Sequence, residues 1–162
     1  MTDTIDAASA ENPTEVRVVD FLAEPPAAVW RALTTPELLA EWLMPNDFAP
    51  VVGHRFHFST EPIPPTRFSG VIACEVLELR EPELLVISWA DDSEENDMAT
   101  TVTFRLEAHD GGTRLTVVQA GYRAGHSGDQ MARRIMGGGW GGRIVPRLKE
   151  VLGREVLGRE AR

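Results

Sequence analysis

S-G-D-Q-M-A-R-R-I-M-G-G-G-W-G-G-R-I-V-P-R-L-K-E-V-L, residues 127–152, reads as one long helix near the end of the chain. Met136, Trp140, Ile144, Leu148 and Val151 recur at a helical spacing and form one apolar stripe. The same segment carries Gly137, Gly138, Gly139, Gly141 and Gly142, each worth roughly 1 kcal/mol less than alanine inside a helix. Pro146 removes one helical hydrogen bond. Such a helix is held by packing rather than by propensity, and a bend or break is expected at the glycines. Its stripe needs a broad apolar surface to cover, so the rest of the chain must supply one.

Upstream, the sequence supplies a sheet. Glu15 to Leu22 alternates loosely, is rich in β-branched residues and starts the series. Val52 to Ser59 sets His54, Phe56 and Phe58 on one face, with Arg55, His57 and Ser59 on the other. Strands are expected next over Phe68 to Leu79 and Leu84 to Ala90, then Thr101 to Ala108 and Thr113 to Tyr122, the last two joined by the hairpin signal Asp110-Gly111-Gly112. Glu61 to Thr66, with three prolines, is a loop, and the acidic stretch Asp91 to Asp97 is solvated. Between the first and second strands, Pro25 and Pro26 suit the start of a helix carrying Val29, Trp30 and Leu33. Thr35-Pro36-Glu37 then caps and starts a second, with Leu38, Leu39 and Trp42 on one side. This order predicts an α+β domain: a curved antiparallel sheet around a long C-terminal helix, two short helices plugging one end. Its expected limits are 15–152, after a tail at 1–14 without periodicity and before a fraying end at 153–162. The repeat V-L-G-R-E at 151–155 and 156–160 has a five-residue period, so its copies cannot share a helix face.

Composition narrows the function. The chain has 162 residues and a formal net charge of −9, which opposes general nucleic-acid binding. Charge is uneven: Gly121 to Arg162 holds nine Lys/Arg against four Asp/Glu, so the basic residues collect on the final helix. The single cysteine, Cys74, has no partner for a disulfide. With no leader-like or membrane-length apolar run, a cytoplasmic protein without a membrane segment is expected.

The stretch P-P-A-A-V-W-R-A-L-T-T-P-E-L-L-A-E-W, residues 25–42, resembles the helical signature of the heat-shock-protein-90 ATPase activator homologue-like proteins. These belong to the SRPBCC superfamily, with START domains, polyketide cyclases and birch-pollen-allergen-like proteins. The resemblance runs on through V-G-H-R-F-H-F (52–58), F-S-G-V-I-A-C-E-V-L-E-L (68–79), P-E-L-L-V-I-S-W (82–89) and G-W at 139–140. It implies the helix-grip fold and, commonly, a hydrophobic cavity between the sheet and the last helix. It implies no particular reaction, since family members include carriers, cyclases and co-chaperones. Two departures stand out: His54 occupies a position often held by glycine, and the last helix is unusually rich in glycine.

The expected cavity wall combines Trp42, Phe56, Phe58, Phe68, Ile72, Ile87, Trp89, Phe104, Val117, Met136 and Trp140, with His54 and Gln119 as polar groups able to orient a ligand. A ligand needs open space between Trp140 and the phenylalanines with Trp89. No metal or cofactor is expected: His54 and His57 face opposite sides of a strand, and His109 and His126 lie elsewhere. Cys74 stands beside Glu75, a neighbour that discourages the thiolate. Gly137 to Gly142 lacks the ending of a phosphate loop. Acid–base chemistry could draw on His54, Glu75 or Tyr122, but no spacing demands it. The leading expectation is a cytoplasmic domain that binds a small apolar or amphipathic molecule. Its rivals are a chaperone-associated interaction module and a polyketide cyclase-like enzyme, with homodimerisation as a further partner mode.

Overall fold

The computed structural model describes residues 12–62 and 68–160. Six strands form one antiparallel sheet: β1 (Glu15–Leu22), β2 (Arg55–Ser59), β3 (Val71–Arg80), β4 (Leu84–Asp91), β5 (Ala99–His109) and β6 (Gly112–Ala120). Their order across the sheet is β1-β6-β5-β4-β3-β2. The expected alternation holds along β2 and β5, where Phe56, Phe58, Val102, Phe104 and Leu106 are buried and their neighbours are not. Asp110 and Gly111 both have positive φ, and His109 pairs with Gly112. The β5–β6 connection is therefore the two-residue turn whose twist matches a hairpin.

Two helices follow β1: α1 (Pro26–Thr34) and α2 (Pro36–Trp42), each opened by a proline in its first turn. Thr35 stands at the cap of α2, but its side chain makes no capping bond. The two helices are tied by the Trp42 indole, whose Nε1–H donates to the Ala32 carbonyl at 2.9 Å. Val29, Ala32, Leu33, Leu38, Leu39 and Trp42 turn inward and close one end of the sheet.

The C-terminal rod differs from expectation in two respects. It neither breaks nor ends at Leu152. α3 (Ser127–Gly139) passes into a π-helical turn (Trp140–Ile144) and on into α4 (Val145–Glu160), the Val145 N–H bonding back to the Trp140 carbonyl. A wider turn suits this place, because the ring of Pro146 would crowd the carbonyl four residues back in a regular helix. Beyond Leu152 the rod is held by ion pairs, Arg31–Glu155 at 3.1 Å and Arg154–Glu41 at 3.5 Å. Residues 153–160 of the expected tail are helical, and 161–162 lie outside the described residues. The repeat behaves as its period requires: Val151 and Leu152 are buried, while Val156 and Leu157 are exposed.

Strand limits also move. Val51 and Val52 form an exposed turn before β2, and Phe68 stands ahead of β3, separated from it by Gly70 at φ 93°. Of the expected N-terminal tail, residues 12–14 are built into the fold, the Thr14 carbonyl accepting from the N–H groups of Gly121 and Tyr122. Residues 1–11 and most of the expected proline loop lie outside the described residues.

Candidate functional site: the interior beneath the C-terminal helix

The concave face of the sheet and the π turn meet in a chain of aromatic rings. Phe48 packs on Phe56 at 5.1 Å between centroids, Phe56 on Phe58 at 5.4 Å, and Phe58 on Trp89 at 5.4 Å. Trp89 continues to Trp140 at 5.7 Å, Trp140 to Phe104 at 5.8 Å, and Phe104 to Trp42 at 6.3 Å. The separations and tilted or edge-on angles are those of favourable aromatic pairs. Of the expected lining, Trp42, Phe56, Phe58, Ile72, Ile87, Trp89, Phe104, Val117, Gln119 and Trp140 are buried in one cluster, and Phe68 and Met136 are partly buried against it.

The expected cavity is not formed. The space between Trp140 and the sheet is occupied by the side chains themselves. A void of about 10 Å³ remains between Leu33, Leu39, Leu43, Phe48, Phe56, Phe58, Leu85, Ile87 and Phe104. That is barely room for one water, far below the roughly 300–1,000 Å³ of a ligand pocket. A second hollow of about 20 Å³ sits at the surface between α1, α2 and α4, lined by Ala28, Arg31, Leu38, Leu152 and Glu155 among others.

His54 does not project into the interior. Its Nε2 meets the Asp47 carbonyl at 2.9 Å on an exposed rim, with the ring stacked over Phe56. Gln119 does lie inside, wholly buried. Its Oε1 accepts from the Trp140 indole N–H at 2.9 Å, and its Nε2 donates to Thr100 Oγ1 at 3.0 Å. The Thr100 hydroxyl in turn donates to the Trp89 carbonyl at 2.8 Å. This line holds the π turn against β5 and β6, and a buried polar line of this kind is stable only when fully paired.

Other candidate chemistry is dispersed. His54 and Glu75 belong to the β2–β3 side, whereas Tyr122 follows β6, so the three acid–base candidates are not assembled. Burial pushes the Cys74 thiol well above its ordinary value, which leaves it an unreactive core residue. Among the described residues no group of histidine, cysteine and carboxylate side chains could hold a metal ion.

Sequence reading missed how the two halves of the C-terminal rod are held. α4 sinks Val145, Leu148, Val151 and Leu152 into the core. In α3 the only fully buried residue is Asp129, and Met131 and Ile135 face solvent. α3 is instead latched by charge at its N-terminus. Arg123 donates to Asp129 through Nε and Nη2, both at 2.9 Å, and to Asp97 of the β4–β5 loop at 2.9 and 3.2 Å. The Asp129 carboxylate also accepts the Arg123 backbone N–H, while His126 Nδ1 caps the helix by accepting from the Asp129 N–H. Burial pushes Asp129 up, but the Arg123 hydrogen bonds and charge prevail and hold it below the usual carboxylate range. Arg123 lowers Asp97 as well.

The pH dependence follows. Groups with a depressed folded pKa contribute above the unfolded value of about 3.9, and the contribution is lost as pH falls through the folded value. The α3 latch is therefore expected to hold at neutral pH and to release below about pH 4. Amide exchange along α3 should accelerate there before that of α4. Asp129→Ala should release it at any pH, at about 1.5–3 kcal/mol for a charged, buried hydrogen-bonded group. Equal protection of α3 and α4 through the acid range would contradict the latch.

Among the described residues no helix is long and apolar enough to cross a membrane. No curated protein matches the chain. Among solved structures, protein MLL2253 from Mesorhizobium loti is 35% identical over 86% of this chain and 97% of its own, with a TM-score of 0.75. BH1534 from Bacillus halodurans is 27% identical over 85% and 96%, with a TM-score of 0.68. DynU16, from the dynemicin biosynthetic locus, shares the fold at 22% identity and a TM-score of 0.69, matching 86% of this chain and 47% of its own length. The sequence model of the family described as activator of Hsp90 ATPase homolog 1-like protein matches residues 23–153, and with the helix-grip architecture around Trp140 the chain belongs to that family.

Proposed function

We propose that the protein binds a small apolar or amphipathic molecule in its interior, admitted when α3 lifts from the sheet on the glycine-rich turn. The observation that carries this reading is the asymmetry of the C-terminal rod. One half is anchored by four buried aliphatic residues, and the other buries one aspartate and joins it through glycines and a π turn. Elements that move on binding come from the less stable parts of a fold, and few buried apolar contacts mark such a part. Where α3 runs into the π turn, Trp140 packs on Trp89 and Phe104, and aromatic surfaces of this kind bind apolar and planar molecules through large contact areas. Binding then costs the opening of the packed conformer, so affinity depends on how readily α3 moves.

Amide NMR titration with long-chain fatty acids, flavonoids and aromatic ketones, with tryptophan fluorescence in parallel, tests the proposal. Perturbations should concentrate at the Trp140 indole, Gln119 and α3, leaving α1 little changed. A panel that leaves the spectra unmoved, or shifts only surface residues of α1 and α2, would remove the reading.

A second reading has its own observation. Met131 and Ile135 are exposed four residues apart on α3, beside Arg134, on a chain whose family takes its name from a chaperone activator. Such a face suits contact with another protein. Stimulation of an Hsp90-type ATPase by the purified chain, lost in Met131→Glu/Ile135→Glu, would favour it.

A further inference from the structure

Three of the four indole N–H groups donate within the protein: Trp30 to Glu81, Trp42 to the Ala32 carbonyl, and Trp140 to Gln119. Gln119 and Thr100 are likewise paired. The hydroxyl of Tyr122 differs: 2% of the residue is exposed, and its oxygen is the one buried side-chain polar atom without a partner among the described residues. An unpaired buried hydroxyl costs about 1–3 kcal/mol. A phenylalanine would fill the same space without that cost.

Tyr122 is brought inside by a local device. The N–H groups of Gly121 and Tyr122 both donate to the Thr14 carbonyl, at 3.0 and 3.1 Å, so two residues oppose one at the end of the β1–β6 ladder. Gly121 takes a φ of 113°, and a Cβ there would lie 2.9 Å from the Ala99 carbonyl oxygen. A bulge re-aims the side chain that follows it. Here it sends Tyr122 into the buried core of the domain. Asp129 and Arg133 of α3 lie within electrostatic reach of the hydroxyl, and Ala132 and Met136 pack against the same cluster. The hydroxyl therefore sits under the half of the rod that is lightly held. Burial pushes its pKa well above the ordinary tyrosine value, so it keeps its proton and stays a donor.

We propose that Tyr122 is the polar anchor of the interior site, its hydroxyl donating to a neutral carbonyl oxygen on an otherwise aromatic or apolar ligand. The inference rests on the binding reading above and adds the chemical class of the ligand. A neutral acceptor is required because a charged group would have to be desolvated among aromatic rings. The carbonyl supplies what the hydroxyl lacks, and the rest of the ligand replaces contacts made by Ala132 and Met136 when α3 lifts.

Benzophenone and diphenylmethane form a matched pair of probes, alike in shape, one with a carbonyl and one without. Both are titrated by amide NMR into the wild-type protein and into Tyr122→Phe. The wild type should bind the ketone about fivefold more tightly than the hydrocarbon, the worth of one buried neutral hydrogen bond. In Tyr122→Phe the preference should vanish, with the hydrocarbon affinity retained and the melting temperature no lower than wild type. Equal preference in the two proteins would overturn the anchor while leaving the binding reading intact. So would a destabilised Tyr122→Phe with unchanged preference, which would mean that an ordered water satisfies the hydroxyl. Failure of both probes to bind the wild type in the interior would overturn the anchor and count against the binding reading together.

Discussion

Trp140→Ala is expected to lower the stability of the domain by about 3–5 kcal/mol, the range for truncating a fully buried large aromatic residue. Trp140 has no exposed surface, packs on Trp89 and Phe104, and donates to Gln119. Three costs coincide: the lost ring contacts, the space left behind, and the lost indole donor to Gln119 Oε1, which is stranded inside the core. Trp140→Phe separates them. It keeps a ring against Trp89 and Phe104 but abandons the Gln119 oxygen, and about 1–3 kcal/mol should be lost. Against a total of about 5–15 kcal/mol for a natural domain, the alanine variant stands near the limit of folding. Urea unfolding of both variants checks the ordering. An alanine variant within about 1 kcal/mol of wild type would show that the π turn is not docked on the sheet. If it folds, the vacated space should take up small aromatic molecules without the opening the wild type needs, and indole, which can restore the N–H donated to Gln119, should bind better than naphthalene.

The same residue marks how far the sequence could be read. That Trp140 would face Phe104 and Trp89 followed from two periodicities, 3.6 along the helix and 2 along the strands, and both are properties of local sequence. The Asp110-Gly111 turn and the separated faces of the repeated V-L-G-R-E were legible for the same reason. Whether facing rings leave a cavity is another kind of question. It depends on rotamers and on small shifts between layers, and a mere ångström of separation decides between a pocket and a packed core. The latch was equally out of reach: Asp97, Arg123 and Asp129 come from a loop, a strand exit and a helix start, with no period linking them. Tyr122 was visible only as a phenol near a strand end. Its inward turn depends on the bulge at Gly121, a departure from the ladder that alternation alone cannot foresee. His54 shows the converse error, since a residue in phase with an inward face was assigned to it although β2 begins only at Arg55. The missed helix after Leu152 has a similar origin, because the pairs that hold it, Arg31–Glu155 and Arg154–Glu41, join residues far apart in sequence.

Replacing Gly138, Gly139 and Gly142 together by alanine is expected to stabilise the fold by about 1.5–3 kcal/mol, from 0.5–1 kcal/mol per glycine in a helix. Space does not oppose the change, as a Cβ built at any of the three meets nothing within 4 Å. Nor does the backbone: none of the three has positive φ, and Gly139 has φ −67° and ψ −49°, a helical conformation that alanine favours. Three glycines that cost stability and fill no steric need call for another role, and the binding reading assigns one. If α3 lifts by letting these residues leave helical geometry, alanine stabilises the closed rod by the same amount it stabilises the fold. At 1.4 kcal/mol per factor of ten, the fraction of open conformer should fall by about 10- to 150-fold. Amide exchange in α3 should slow accordingly and affinity for interior ligands should drop in parallel. Gly153 supplies the control, because it lies inside α4, away from the turn, and a Cβ there also meets nothing within 4 Å. Gly153→Ala should add stability without touching α3 exchange or ligand affinity. A triple variant that gains stability while exchange in α3 and affinity both stay at wild-type values would mean that the glycines are not where the rod opens. The route into the interior would then have to lie elsewhere, with the α1–α2 end of the sheet the next place to look.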